Sequence, residues 1–257
     1  MPLLLILILV GLAVGALTGT TGSSGVLIVV PVLGFMGLSF QESVGSSLLV
    51  DVITTSTVIF VYLRKKTVAV RSAVFMGLGA LIGAQIGTRI AVSVPEEPLE
   101  IGFVILTALL AFQMFRRSKQ RMAMERKPGR FSNLRPWQSL AAAMVLSIPV
   151  GILTGTIGTS GGIMFIGITM ILFTISAQEM VGTATLAMLF SAMSGAAGYA
   201  YFGRIDYFAS VVIGITSLAS GYGFSILAHK VSEKTIYVAI GVVFVIVVIA
   251  ESLKIIA

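Results

Sequence analysis

The chain has no cysteine, a single histidine (His229), and charged residues at only 11% of its 257 positions. Without cysteine there is no disulfide, no thiolate nucleophile and no thiolate metal site. One histidine leaves no cluster for zinc or haem and no site for a Ser–His catalytic pair. The shortage of charge is the most restrictive absence. A soluble domain carries roughly 25% charged residues, and so few could not cover a water-facing surface. Disorder, a fibre and a soluble enzyme are therefore poor readings. Apolar residues, by contrast, make up 57% of the chain. The chain belongs in a bilayer. Its net charge of +7 is gathered in loops, which read as solvated segments beside anionic lipid heads rather than as a nucleic-acid surface.

A membrane-spanning helix needs about 20 mostly apolar residues. Apolar tracts run over 2–38, 41–63, 68–94, 98–115, 137–175, 178–202, 207–228 and 235–253. The first and fifth are too long for one simple helix, and Gly, Ser and Thr interrupt each near its middle. Residues 1–16 resemble a signal-peptide core but lack a basic start, and apolar sequence resumes after Gly25, so the segment is read as retained. Twelve of the seventeen basic residues fall in two places: Arg64, Lys65, Lys66 and Arg71, then eight between Arg116 and Arg135. Both loops are expected on the cytoplasmic side of the cell membrane. The turn between them, Pro95 to Glu100, holds three acids and no base and is expected outside.

The sequence contains itself twice. At a shift of 136, Gly15–Gly25 (GALTGTTGSSG) matches Gly151–Gly161 (GILTGTIGTSG) at eight of eleven positions. At a shift of 137, Gln41-Glu42-Ser43-Val44-Gly45 matches Gln178-Glu179-Met180-Val181-Gly182 at four of five. Order and spacing agree as well as composition. The expected fold is all-α: a polytopic helical membrane protein of two homologous halves, 1–116 and 137–257, joined by a basic linker at 117–136. Each half has a Gly-rich broken helix or re-entrant hairpin followed by three transmembrane helices. Duplicated membrane halves are the usual build of secondary transporters. Inverted halves are favoured, because hairpins entering from opposite faces bring both breaks together at mid-depth; a parallel arrangement stays open, as the second-half basic residues divide evenly between the two.

The paired Gly-rich segments, the Val-Gly after each Gln-Glu, and Ser194-Gly195-Ala196-Ala197-Gly198-Tyr199 leading to Gly203-Arg204-Ile205-Asp206 resemble the sulfite exporter TauE/SafE family over nearly the whole chain. The resemblance implies a duplicated polytopic transporter linked to sulfite, sulfonates and related small sulfur-containing anions. Many members have three successive glycines in the segment. Here Ser23-Ser24-Gly25 and Thr159-Ser160-Gly161-Gly162 put hydroxyls where others have bare backbone.

Backbone that is not helical survives in hydrocarbon only if it is buried in protein or lines a wet cavity. A helix restarting after such a break leaves its first N–H groups open to an anion, aided by the helix dipole. The expected substrate site is therefore Gly19, Thr20, Thr21, Gly22, Ser23, Ser24 and Gly25 facing Gly155, Thr156, Gly158, Thr159, Ser160 and Gly161. The competing reading is close packing through small residues, with the hydroxyls bonded back to the preceding turn. Intramembrane charge is scarce and expensive. Asp51, whose counterpart in the second half is Met188, is a candidate proton carrier, or else a static partner of Arg89 or a hydrogen-bonded packing residue. Arg89 either supplies positive charge to the site or snorkels to the surface. Gln41, Glu42, Gln178 and Glu179 are candidates for coupling or gating, or else acids that complement a helix start. The stripes Gly77, Gly79, Gly83, Gly87 and Gly195, Gly198 read as close helix packing.

The function expected is a secondary transporter of small anions, sulfite or organosulfonates first, with proton coupling as an option. A passive anion channel, or a carrier of another anion such as a carboxylate, is the alternative. No enzymatic role, cofactor, metal or nucleic-acid partner is expected. An intramembrane Ser–His protease would have only His229, and an aspartyl protease would need a second buried Asp, whereas Asp206 falls in a loop. Direction of transport, coupling ion and oligomeric state are not written in the sequence.

Overall fold

The computed structural model describes residues 2–21, 24–119, 135–158 and 161–227, with Val245. Nine helices and no strand occur among them. The first half gives α1 (Pro2–Thr21), the short α2 (Val26–Phe35), α3 (Phe40–Arg64), α4 (Val70–Ser93) and α5 (Glu96–Lys119). The second gives α6 (Pro136–Ile157), the short α7 (Gly161–Leu172), α8 (Ala177–Tyr201) and α9 (Tyr207–Leu227). Both long interrupted tracts thus become a long helix and a short one. The expected tract at 235–253 lies outside the described residues.

Helix ends follow local chemistry. Ser39 and Ser176 each accept a hydrogen bond from the backbone N–H three residues on, and their own N–H groups donate to the Glu42 and Glu179 carboxylates at 3.1 and 2.8 Å. These reciprocal caps satisfy donors a helix start would leave orphaned. Pro136 opens α6 at a position where no N–H is needed. Gly158 closes α6 at φ +67, donating its N–H to the Thr154 carbonyl at 3.0 Å. A residue with a Cβ disfavours that left-handed conformation.

Six helices among the described residues are long and apolar enough to cross a membrane: α1, α3, α4, α6, α8 and α9. Leu5, Leu9, Phe60, Ile105, Leu109, Val145 and Ile215 are exposed, which suits lipid rather than water. Exposed Trp137 sits at the start of α6, and exposed Tyr201 and Tyr207 flank the α8–α9 turn, where amphipathic rings favour a bilayer interface.

Hydrocarbon supplies no hydrophobic drive between helices, so small residues that permit close backbone approach hold the bundle. A Cβ on Gly79, Gly83 or Gly87 would strike the carbonyl oxygen of Met144, Ile148 or Ile152 on α6. Gly151 and Gly155 of α6 meet Ala80 and Ala84 of α4 in the same way. The partner contact lies across the molecule, where Gly11, Gly15 and Gly19 of α1 abut α9 between Ile213 and Ser225. Residue numbers rise together in both contacts, so α4 runs parallel to α6 and α1 runs parallel to α9. Ser46 bonds Asp206 and Ser210, Ile53 meets Gly214, and Thr54 meets Ser217, so α3 also runs with α9. Gly45 faces Tyr199 and Arg204 while Thr67 faces Gly182, so α3 and α8 run antiparallel. The opening helix of each half therefore packs on the third long helix of the other, α1 on α9 and α6 on α4, and α3 and α8 cross between them.

Candidate functional site

Both breaks lie in this interior. Leu17, Val26 and Leu27 around the first, and Ile157 and Ile163 around the second, share one buried cluster with Val44, Leu48 and Tyr199. A Cβ on Gly158 would stand 3.0 Å from both Val26 Cγ1 and Val44 Cγ1. The end of α6 thus abuts the first residue of α2.

The donors at the first break are taken by the protein itself. The Gly25 N–H donates to Asp51 Oδ1 at 3.2 Å, and the Ser24 hydroxyl also hydrogen-bonds Asp51. Ser24 Oγ in turn accepts from the Val26 N–H at 3.0 Å. Ser24 and Asp51 are 0% and 1% exposed. A carboxylate thus sits at the positive end of α2, where the dipole favours it. No cation answers it from its neighbours: α1, α2 and α9 contain no charged residue at all.

Several expected site residues do other work. The Thr20 hydroxyl donates to the Ala16 carbonyl at 2.7 Å, and Thr156 to that of Ile152 at 2.9 Å. Their protons are spent on the preceding turn, so the packing reading wins for both. Gly19 and Gly155 belong to the α1–α9 and α4–α6 contacts, and the Gly155 carbonyl accepts from the buried Tyr199 hydroxyl at 2.9 Å. Gly161 opens α7 with Phe165 folded over the place of its Cβ. Arg89 is exposed on α4 and forms no ion pair with Asp51; Gly87 and Thr88 beside it take the inward face. Gln41 ties α3 to the end of α4 through the Ala91 carbonyl at 2.9 Å, whereas Gln178 is exposed. Glu42 and Glu179 are the capping acids already described. Gly22, Ser23, Thr159, Ser160 and His229, and the side chain of Thr21, lie outside the described residues.

The structure adds residues that sequence reasoning passed over. Thr18 and Thr55 are wholly buried, and their hydroxyl oxygens have no hydrogen-bond partner. Thr55 lies one turn beyond Asp51 on the same face of α3, a spacing legible in the sequence. Thr18 lies one turn beyond Val14, whose side chain fills the space beside Gly25. Ser39 and Ser176 were also legible, since each stands three residues before a Glu at the head of an apolar run.

A multi-pass bundle of apolar helices, interrupted by two breaks that meet inside it, has the build of a membrane transporter. A family model described as Sulfite exporter TauE/SafE matches residues 7–250, and the chain belongs to that family. It is similar to three proteins of Bacillus subtilis (strain 168). Probable membrane transporter protein YunE is 22% identical over 258 residues, 94% of each chain. Probable membrane transporter protein YjnA is 27% identical, covering 78% of this chain and 81% of its own. Probable membrane transporter protein YdhB is 24% identical, covering 85% and 87%. No solved structure matches the chain.

Proposed function

We propose that this transporter carries small anions across the cell membrane by a secondary mechanism, with sulfite or an organosulfonate as substrate. The observation that carries the reading is the contact of the two breaks, with Gly158 at the end of α6 against Val26 at the start of α2. The start of α2, with its backbone N–H groups and helix dipole, thus meets the second break at one interior point and suits an anion there. The antiparallel run of α3 and α8 supports halves inverted across the bilayer, as in many secondary transporters. In that orientation Arg64, Lys65, Lys66, Arg71 and Arg135 share one end with the linker, which is cytoplasmic, and Glu96, Glu97 and Glu100 face outside. The two repeats, 1–116 and 137–257, rock against each other around the breaks, and the chain performs no catalysis.

Thermal unfolding of the purified protein against a panel of anions tests the substrate class. Sulfite, taurine-like sulfonates and alkyl sulfonates should raise the midpoint, while chloride and acetate at equal concentration should not. A shift with acetate alone would transfer the reading to carboxylates. The passive-channel alternative is separated by accumulation against a gradient, which a channel cannot produce.

A further inference from the structure

At the first break the start of α2 is already occupied by the Asp51 side chain. Asp51 takes the Gly25 N–H at 3.2 Å and the Ser24 hydroxyl. Four buried hydroxyls of the described residues have no partner, Thr18, Ser43, Thr55 and Thr107, and two of them, Thr55 on α3 and Thr18 on α1, lie on the helices that touch this break. An unpartnered buried hydroxyl destabilises a fold, and a native structure that keeps one invites an explanation. Thr55 shares the face of α3 that carries Asp51, one turn away, and Val44, on that same face two turns before Asp51, touches Gly158 of the second break. Thr18 shares the face of α1 that carries Val14, which abuts Gly25. Each is thus one helical turn from a residue that touches Gly25 at the start of α2. The second half differs: the position equivalent to Asp51 is Met188, buried and uncharged.

We infer that the Asp51 carboxylate is a built-in competitor of the substrate anion at the first break, displaced from the α2 start when it takes up a proton, so that Gly25, Ser24, Thr18 and Thr55 then serve the anion. The inference rests on the anion-transporter reading and deepens it. A substrate oxyanion and an ionised Asp51 cannot share these donors, because like charges in a dry interior repel strongly. A protonated Asp51 removes the repulsion and returns the Gly25 N–H to the site. One proton then accompanies one anion as a consequence of competition, with no separate relay. The hydrogen bonds to Asp51 come from Ser24 and Gly25, and the other titratable groups on the elements packed against α3 take the following places. On α8 they are Glu179, in its cap, with Tyr199, bonded to Gly155, and Tyr201, exposed. On α9 they are exposed Tyr207 and Tyr222. On α5, Glu96 caps the start of α3 through Phe40, Glu97 and Glu100 share that end, and Arg116, Arg117 and Lys119 close the other. On α3 itself, Glu42 caps the first turn, and Tyr62 and Arg64 lie near its end.

The test is equilibrium binding of labelled methanesulfonate, whose charge does not change over the range, to purified protein in lipid nanodiscs between pH about 5 and about 9. Methanesulfonate should bind the parent at low pH and lose about fivefold to a thousandfold in affinity as pH rises, the span set by like charges about 4 Å apart at an effective dielectric between bulk water and about 20. In Asp51→Asn the dependence should vanish, with affinity staying at the low-pH value. Thr55→Val should weaken binding at every pH and leave the midpoint of the pH profile in place. Parent binding that is flat with pH, or an Asp51→Asn profile like the parent's, overturns the competition while the anion reading stands. If neither protein binds methanesulfonate at any pH, the anion reading itself falls and takes the competition with it. If Asp51→Asn does not fold, the Thr55→Val profile decides: unchanged affinity refutes the role of the unpartnered hydroxyls.

Discussion

Thr54 and Thr55 are adjacent, equally buried and identical in chemistry, yet replacing each with Val should move stability in opposite directions. The Thr54 hydroxyl is bonded to the Val50 carbonyl at 2.9 Å and paired with the Ser217 hydroxyl on α9. Removing it breaks an interhelical contact and leaves Ser217 only its bond to the Gly214 carbonyl. A loss of about 0.6–1.7 kcal/mol is expected, from the average to the upper end for such bonds between membrane helices. Thr55 has no partner to lose. A buried polar group without a partner costs about 1–3 kcal/mol, so a methyl in its place should stabilise the substrate-free protein. For a chain of this size each kcal/mol moves the thermal midpoint by roughly 2–4 °C, so Thr55→Val should unfold a few degrees higher and Thr54→Val a few degrees lower. Thermal unfolding of both variants in nanodiscs without substrate measures this. The gain at Thr55 should come with weaker sulfonate binding, the usual trade of stability against function. Destabilisation by Thr55→Val, or a stabilised protein that binds the anion as tightly as the parent, would refute the view that this hydroxyl is held in reserve for a ligand.

Other substitutions probe the frame around the breaks. Gly158→Val forces a β-branched side chain into a left-handed conformation and against Val26 and Val44; transport should be lost at a cost of more than about 1 kcal/mol in stability, and full flux would contradict the broken-backbone geometry. Gly83→Leu drives a side chain into the Ile148 carbonyl of α6, so monodisperse protein on size exclusion should be lost, whereas Gly167→Leu, which meets nothing within 4 Å, should be neutral. Tyr199→Phe removes the bond to the Gly155 carbonyl and should cost about 0.5–1.5 kcal/mol by thermal unfolding. Ser39→Ala and Ser176→Ala should each cost about 1 kcal/mol through the lost cap while leaving the pH profile of binding unchanged; a shifted profile would return Glu42 or Glu179 to coupling.

Much of the architecture was legible because hydrocarbon makes periodicity and length decisive. Five tracts set long helices to within a few residues, and the eight-of-eleven match between Gly15–Gly25 and Gly151–Gly161 placed both breaks. The glycine stripes were also read correctly, since small residues at helical spacing have one main use in a membrane. The site was less legible, because residue type does not say which way a hydroxyl turns. Thr20 and Thr156 look like donors to a ligand, yet a helix offers each the carbonyl four residues back at no extra ordering cost. Gly19 and Gly155 lie within the matched segments but also at the four-residue spacing of Gly11 and Gly15, or of Gly151, and that contact claims them. Asp51 and Arg89 seemed natural partners by charge. The backbone donor of Gly25 was invisible to that argument, since every residue has one and only the fold says which reaches a carboxylate. Thr18 and Thr55 could not be singled out by composition; their interest lies in the partners they do not have.

A carrier that moves a small sulfur-containing anion together with a proton must respond to a pH gradient, and flux of labelled sulfonate into proteoliposomes, with and without an imposed gradient, measures this. Accumulation above the external concentration should occur when the inward proton gradient is present and equilibration only when it is absent, and Asp51→Asn should lose the gradient-driven component while anion exchange survives. Uptake that never exceeds equilibration would make the protein a passive path for anions, and gradient-driven accumulation that persists in Asp51→Asn would contradict the role given to Asp51.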